Sequence, residues 1–282
     1  MPRKKKEKSE TLFQFKKGSI DPKIAFKEMN AYVDSVIRGL QPGCILCGAP
    51  GVGKSYRVLQ TLKKHGYVNG QNLDIIKGKC TARQLYLSLY NHREKGEIIL
   101  IDDADALVGP KAPEDVINIL KGALDSTRED DGGRLVSYRI ASEIKDDEGV
   151  PIPKRMSFYG SVIVITNYSI SQLDSALKGR VFTQSLDFTT EQLLDIIYDL
   201  MPSIEPDRLG IKAKKQAYEY ICDLAQKRSD IEISIRTFGT CARLFQLAEE
   251  TSYDLDVNNV KHMISEQLVN GYMKSTSKKY AS

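Results

Sequence analysis

The chain has 282 residues, of which 41% are hydrophobic and 28% are charged, and its formal net charge is +4 at pH 7. This length and composition predict a globular protein with room for two packed units, and no apolar run reaches the roughly 20 residues of a membrane span. Five cysteines behind a polar, basic N-terminus that does not resemble a secretory signal predict free thiols in a reducing, intracellular (cytoplasmic) compartment.

A basic arm is predicted at the start of the chain. Residues 1–17 hold seven lysines and arginines against two glutamates, a net charge of +5, so the remaining residues sum to −1. We expect the arm, residues 1–20, to be disordered. Its charge suits a salt-sensitive contact with nucleic acid or a nuclear localisation signal, and a solvated tail is an equally good interpretation. A second flexible tail is predicted at 273–282.

The first predicted helix opens at Asp21-Pro22, a typical helix start. Its apolar residues recur at three- and four-residue spacing, which predicts one buried face made of Phe26, Met29, Val33, Val36 and Leu40. Gln41-Pro42-Gly43 is a turn signal that ends the helix. The apolar run at 44–47 then predicts a buried strand.

A glycine-rich segment follows this strand and fills every position of the phosphate-binding loop pattern: Gly48, Ala49, Pro50, Gly51, Val52, Gly53, Lys54 and Ser55. Glycines let successive backbone N–H groups turn toward phosphate oxygens, and the helix that begins near Lys54 adds the positive end of its dipole. The segment therefore predicts that the chain binds a nucleoside triphosphate. Lys54 is expected to reach the β- and γ-phosphates, and the Ser55 hydroxyl to ligate Mg²⁺.

From here apolar runs alternate with helical patterns, the runs lying at 73–76, 97–101, 161–165 and around Leu186. Alternation of this kind predicts an α/β fold, in which a parallel sheet is flanked by helices and ligands bind at the carboxyl ends of strands. Beyond Asp187 only helical patterns remain. We therefore predict an α/β nucleotide-binding domain over 21–188 and a small all-α domain over 189–272.

The strand that ends at Ile101 is followed by two adjacent carboxylates, Asp102 and Asp103. Enzymes with a phosphate-binding loop use such a pair to hold Mg²⁺ and to orient water. We expect Asp102 to support the metal through its hydration shell and Asp103 to polarise the attacking water. An Asp-Asp turn without function is the alternative, and Asp105 is a weaker candidate for the same chemistry.

Two more polar residues follow in positions that suit phosphate chemistry. Asn167 comes directly after the strand at 161–165, where its amide could position the nucleophilic water. Arg180 ends the segment 173–180, where it could project toward the nucleotide of a neighbouring subunit. An ordinary surface arginine is the alternative for Arg180.

In this order the motifs resemble those of the AAA+ ATPase family across roughly residues 22–272. The resemblance implies a Walker A loop, a Walker B strand at 98–103, sensor 1 at Asn167, an arginine finger at Arg180 that acts in trans, and a helical lid. Within this lid, residues 234–237 are similar to a sensor 2 motif, which implies that Arg236, with Arg243 as reserve, reports the γ-phosphate. ATP, Mg²⁺ and a homo-oligomeric ring, usually a hexamer, are also implied.

Two departures from the family pattern limit these implications. Most members place glutamate directly after the Walker B aspartate, whereas this chain has Asp103, so slower hydrolysis is one expectation. The segment Lys77-Gly78-Lys79-Cys80 lies where many protein-threading members carry an aromatic residue, and it has none. Its composition argues against a polypeptide translocase.

Residues 126–160 predict an inserted β-hairpin before sensor 1. Residues 134–140 alternate like a strand, 146–149 read as its turn, and 150–158 can return as the partner strand. The insertion resembles that of viral superfamily III helicases, whose hairpins hold DNA.

This resemblance implies phosphate contacts from four basic residues, Arg134, Arg139, Lys154 and Arg155, with base stacking by Tyr138 or Phe158. The segment carries six basic and seven acidic residues, so a purely structural hairpin stays open as an alternative. The motifs together predict a ring-forming motor or loader in viral or phage DNA replication. A remodeller of a protein complex and an ATP-binding switch with slow hydrolysis are the alternatives.

Overall fold

The computed structural model describes residues 20–146, 148–228, 231–250 and 256–266. Residues 1–19 of the predicted basic arm and the predicted tail lie outside these ranges. The strands are β1 (Gly43–Cys47), β2 (Leu73–Lys77), β3 (Ile98–Asp102), β4 (Arg134–Ser137), β5 (Ile144–Lys145), β6 (Pro151–Ile152), β7 (Arg155–Phe158), β8 (Ser161–Ile165) and β9 (Phe182–Ser185). The helices are α1 (Pro22–Ile37), α2 (Lys54–Lys64), α3 (Ala82–Asn91), α4 (Glu114–Ala123), α5 (Ser175–Lys178), α6 (Thr190–Leu200), α7 (Ile211–Lys227), α8 (Ile235–Glu250) and α9 (residues 257–266).

Five parallel strands form the central sheet in the order β2-β3-β8-β1-β9, which confirms the predicted α/β class. The three middle strands β3, β8 and β1 are buried at every position. Because they are neighbours and parallel, their carboxyl ends lie side by side at one edge of the sheet. The loops that follow Cys47, Asp102 and Ile165 therefore meet there.

The sheet has a hydrophobic layer on each face. Alternate residues of the central strands pack on one side with α1, α2 and the C-terminal helices, and on the other with α3, α4 and the hairpin insertion. The all-α region after residue 188 thus shares a continuous core with α1 and α2. None of the helices in the described part of the chain combines the length and hydropathy of a bilayer span.

Helix α1 begins as predicted but ends earlier. Asp21 caps it by accepting a hydrogen bond from the Lys23 N–H at 2.7 Å. At the other end Gly39 has a left-handed φ of 68°, and the Leu40 N–H donates back to Ser35 O, which completes a Schellman motif. Leu40 is therefore 71% exposed, and the prediction that it belongs to the buried helix face is wrong.

The inserted hairpin is present but is divided into two short antiparallel ladders. β4 pairs with β7 and β5 pairs with β6, so the prediction of one continuous strand over 134–140 is wrong beyond Ser137. The Lys154 ammonium donates to Ile140 O at 2.6 Å and fills the backbone acceptor that a longer ladder would have used. The Tyr86 hydroxyl anchors the insertion to α3 through Pro153 O.

The regular structure described after β9 is helical, in line with the helical patterns of the sequence beyond Asp187. Thr189 and Gln192 form a reciprocal capping box at the start of α6, with the Thr189 N–H donating to Gln192 Oε1 at 3.0 Å. α7 and α8 then pack against each other and against the α1 side of the sheet. This packing brings the first turn of α8 over the loop that follows β1.

Candidate nucleotide-binding site

The loop between β1 and α2 has a conformation that requires glycine. Gly48, Gly51 and Gly53 have φ values of 135°, 76° and 94°. A Cβ atom on Gly48 would lie 2.5 Å from Leu186 O, and one on Gly51 would lie 2.8 Å from Ser234 Cβ. The phosphate-binding loop is thus fixed between the end of β9 and the start of α8.

The Lys54 side chain lies at the mouth of this loop. It is only 5% exposed, and its ammonium donates to Gly48 O at 2.6 Å and to Ala49 O at 2.8 Å. Asn167 Oδ1 lies 3.5 Å from the same nitrogen. Burial lowers the pKa of the Lys54 ammonium, and the carboxylate of Asp105 acts in the opposite direction. A cation held among carbonyl dipoles at a helix N-terminus suits phosphate oxygens.

Ser55 and Asp102 form the second part of the site. The Ser55 hydroxyl donates to Asp102 Oδ1 at 2.7 Å, and Asp102 is only 1% exposed. No group among the described residues donates a hydrogen bond to Asp102 Oδ2, and the Lys77 ammonium lies 3.5 Å from that oxygen. A hydroxyl beside a buried carboxylate with a free acceptor is a donor set that fits hydrated Mg²⁺.

The side chain of Asp103 lies in different surroundings from that of Asp102. Its φ of 55° lies in the left-handed region, which aspartate tolerates better than most residues. Asp102 is buried, whereas Asp103 is exposed and lines a cleft of about 250 Å³ together with Lys54 and Asn167. The two carboxylates therefore have different surroundings, as the two predicted roles require.

Asp105 holds the predicted sensor 1 residue. It accepts hydrogen bonds from Thr166 Oγ1 at 2.7 Å, from the Asn167 N–H at 3.1 Å and from Asn167 Nδ2 at 3.4 Å. Sequence reasoning considered Asp105 only as a spare carboxylate and missed this positioning role. The signal that could have revealed this role is the position of the two residues in the sequence. Asp105 and Asn167 each come shortly after the end of a strand, and the two strands, β3 and β8, are neighbours that pair with Asp102 opposite Ile165.

Arg236 is the lid arginine that reaches the cleft. α8 starts at Ile235, whose N–H donates to Gly51 O at 2.9 Å, and the next residue lines the same cleft as Lys54. Arg243, the reserve candidate, pairs with Glu205 instead and does not line the cleft. Of the two sensor 2 candidates, Arg236 lines the cleft and Arg243 does not, and the role of Arg236 toward the γ-phosphate stays a prediction.

Arg180 lies outside the cleft of its own subunit. Its Nη1 donates to Ala176 O at 2.7 Å, and its Nη2 lies 3.7 Å from Asp125 Oδ2. The guanidinium is thus folded against the helix that precedes it. Its role toward a neighbouring subunit stays a prediction.

Two of the predicted DNA contacts are corrected by their burial. Arg134 is 3% exposed and donates from Nε to Ala123 O at 2.8 Å and from Nη2 to Gly160 O. Phe158 is fully buried under the same guanidinium. Both side chains hold the β4–β7 ladder to the domain, so neither can reach nucleic acid. Among the other candidates, Arg139 and Arg155 are exposed.

A parallel sheet, a phosphate-binding loop, a carboxylate pair and a covering helical region are the features of the P-loop ATPase fold. Residues 44–188, just over half of the chain, match the model of the ATPase family associated with various cellular activities (AAA). The chain belongs to this family.

The chain is also similar in sequence to a phage protein and in fold to bacterial proteins of known structure. The chain is 32% identical over 162 residues to an uncharacterized 36.7 kDa protein in the nrdC-mobD intergenic region of Enterobacteria phage T4. That match covers 57% of this chain and 47% of the relative, so the chain spans about half the length of that protein. Domain III of the replication initiation protein DnaA from Thermotoga maritima is similar in fold, with a TM-score of 0.50, 16% identity, and coverage of 88% of this chain and 92% of that one. Thermotoga maritima RuvB gives a TM-score of 0.42 with 13% identity over 88% of this chain and 77% of that one.

Proposed function

We propose that the protein is a ring-forming ATPase that couples Mg²⁺-dependent ATP hydrolysis to the movement or remodelling of nucleic acid. One observation carries the ATPase part of this proposal. Lys54, Ser55, Asp103, Asn167 and Arg236 come from four separate segments of the chain and line one cleft of about 250 Å³. A phosphate cradle, a metal-binding hydroxyl, a carboxylate, an amide and a guanidinium are the groups that phosphoryl transfer to water requires.

Each residue has a role that follows from its surroundings. The loop N–H groups and Lys54 bind the phosphates, while Ser55 and Asp102 would hold Mg²⁺, which neutralises charge on the β- and γ-phosphates when bound. Asp103 accepts a proton from the attacking water, and Asn167 orients that water because Asp105 fixes the amide. Arg236 contacts the γ-phosphate from the lid.

The ring part of the proposal concerns Arg180. Its side chain lies outside its own cleft, so any nucleotide that it contacts in this conformation must be held by another copy of the chain. Arg180→Ala should bind ATP and hydrolyse it poorly. Mixing it with Lys54→Ala subunits should restore part of the activity, because some boundaries regain both an intact loop and an arginine. Mixed assemblies that stay inactive would contradict a role in trans.

The nucleic-acid part rests on the hairpin insertion. Arg139 and Arg155 remain exposed on this insertion and are available for phosphate contacts. Steady-state ATP hydrolysis should be measured over a range of protein concentrations, with and without single-stranded DNA. A rate per subunit that rises with concentration and again with DNA is the expected result.

Two other functions have an observation in their favour. Because Arg134 and Phe158 are used inside the fold, the hairpin has fewer groups for DNA than the sequence predicts, which favours a remodeller of a protein complex. A rate that a partner protein raises and DNA does not would select that function. The short side chain of Asp103 favours an ATP-binding switch, which tight ATP binding with negligible turnover would identify.

A further inference from the structure

The Lys77 side chain lies beside Asp102, one of the two residues assigned to Mg²⁺, and comes from β2, a strand to which the motifs assign no part of the site. It is the last residue of the edge strand β2 and lies opposite Asp102 of β3 in the parallel register. Its ammonium lies 3.5 Å from Asp102 Oδ2, the oxygen to which no group among the described residues donates a hydrogen bond. The phosphate-binding motifs assign no role to Lys77.

This pair differs from an ordinary surface salt bridge. Exposed pairs alter an equilibrium by at most about fivefold, because water and salt screen both charges. Here the carboxylate is only 1% exposed, so its charge is weakly screened and a nearby cation matters more. The lysine, by contrast, is 55% exposed and has open solvent to move into.

Mg²⁺ and the Lys77 ammonium require the same carboxylate. A hydrated divalent cation supported by Asp102 would stand within a few ångströms of the ammonium, and like charges at such a distance repel each other. The strand ends at Lys77, and Gly78 follows with a left-handed φ of 70°, so the lysine is the last residue of the ladder and lies next to a turn.

We propose that Lys77 and hydrated Mg²⁺ are alternative counter-ions of Asp102. Without the metal, Lys77 neutralises the buried carboxylate and keeps the Walker B strand stable. Binding of Mg²⁺ with nucleotide displaces the ammonium toward solvent, so Lys77 sets the Mg²⁺ concentration at which the site fills. This inference rests on the proposed assignment of Mg²⁺ to Ser55 and Asp102.

The test is equilibrium binding rather than turnover. Binding of a fluorescent ATP analogue is titrated with buffered Mg²⁺ for the full chain and for Lys77→Met, which removes the charge and keeps the length of the side chain. Lys79→Met is the matched control, because it makes the same change on an exposed residue two positions away. Lys77→Arg keeps the charge.

Lys77→Met should reach half-maximal analogue binding at an Mg²⁺ concentration more than about fivefold lower than the unmodified chain, because the buried carboxylate is screened less than that of an exposed pair. Lys79→Met and Lys77→Arg should stay within about twofold of it. In excess chelator Lys77→Met should unfold at a lower temperature than Lys79→Met, and added Mg²⁺ with nucleotide should narrow that difference, because the metal then supplies the missing counter-charge.

An unchanged Mg²⁺ requirement in Lys77→Met would overturn the proposal and reduce the pair to a surface salt bridge. An increased requirement would also overturn it, since Lys77 would then assist the metal. If Lys77→Met does not fold, Lys77→Gln provides the same comparison. Failure of the unmodified chain to bind the analogue at any Mg²⁺ concentration would instead contradict the ATPase proposal itself.

Discussion

The nucleotide cleft and the hairpin insertion both carry the polar residues that their motifs predict, yet they use them differently. In the cleft, Asp103, Asn167 and Arg236 face a common space. In the insertion, Arg134 and Lys154 donate to backbone carbonyls of their own chain. The central strands are buried on both faces and need no help from the residues beyond their ends. The strands of the insertion have only two to four residues and bury few apolar side chains. Hydrogen bonds from their polar side chains are therefore needed to hold the backbone in place.

Lys54→Ala should have the largest effect and tests whether the cleft side chains serve a ligand. Loss of the buried ammonium removes the main positive charge at the phosphates, so the activation free energy of ATP hydrolysis should rise by about 4 kcal/mol. Hydrolysis assays check this, with Lys64→Ala on the exposed end of the same helix as a control. Substantial hydrolysis by Lys54→Ala would contradict the site.

Arg134→Met tests the opposite claim, that this hairpin arginine serves the fold. Two buried carbonyls lose their donor, so the free energy of unfolding should fall by about 3 kcal/mol. Chemical denaturation measures the change. Arg155→Met on the paired strand β7 is the matched control, because Arg155 is exposed and its loss should alter stability by no more than about 0.5 kcal/mol. Equal effects of the two substitutions would remove the distinction.

Arg236→Ala sharpens the comparison within the lid. Arg236 lines the cleft and Arg243 pairs with Glu205, although both lie on α8. We expect Arg236→Ala to lower kcat/KM for ATP by about 30-fold, or about 2 kcal/mol, because a cation near the γ-phosphate is lost. Arg243→Ala should stay within about threefold. Kinetics in which Arg243→Ala has the larger effect would reverse the sensor 2 assignment.

Arg155→Ala should have the smallest effect and examines what remains available on the hairpin. If Arg155 contacts a phosphate, single-stranded DNA affinity should fall by about 1 kcal/mol for every sequence, and the slope of log affinity against log salt should decrease by about one. Fluorescence anisotropy over a salt series measures both quantities. An unchanged slope, with binding intact, would place the DNA contact elsewhere.

The fold could be predicted from the sequence where one pattern decides the outcome alone. The alternation of apolar runs and helical patterns predicted the parallel sheet, and the helical patterns beyond Asp187 predicted the C-terminal helices. The end of α1 was missed because the apolar spacing continues to Leu40, while the left-handed Gly39 ends the helix before it.

The site was less predictable where roles depend on contacts between distant segments. Lys54 and Asp102 belong to sequence motifs whose surroundings are known in advance. Asp105 and Lys77 belong to no such motif. The residues that they contact lie on or after other strands, and only the order and register of β2, β3 and β8 bring each of them to its partner. Arg134 was misread because alternation along a strand does not reveal which face carries the core.

The hydrogen bond from the Ile235 N–H to Gly51 O has a mechanical consequence. The first residue of α8 is attached to the middle of the phosphate-binding loop, and the loop has no Cβ at that point to keep the two apart. A swing of the C-terminal helices away from the sheet must break this bond and release the loop from one of its two supports. The conformation of the phosphate-binding loop and the position of the helices are therefore coupled. The rate at which the Ile235 amide exchanges its hydrogen with solvent measures how often this bond opens, and so reports on both the loop and the helices.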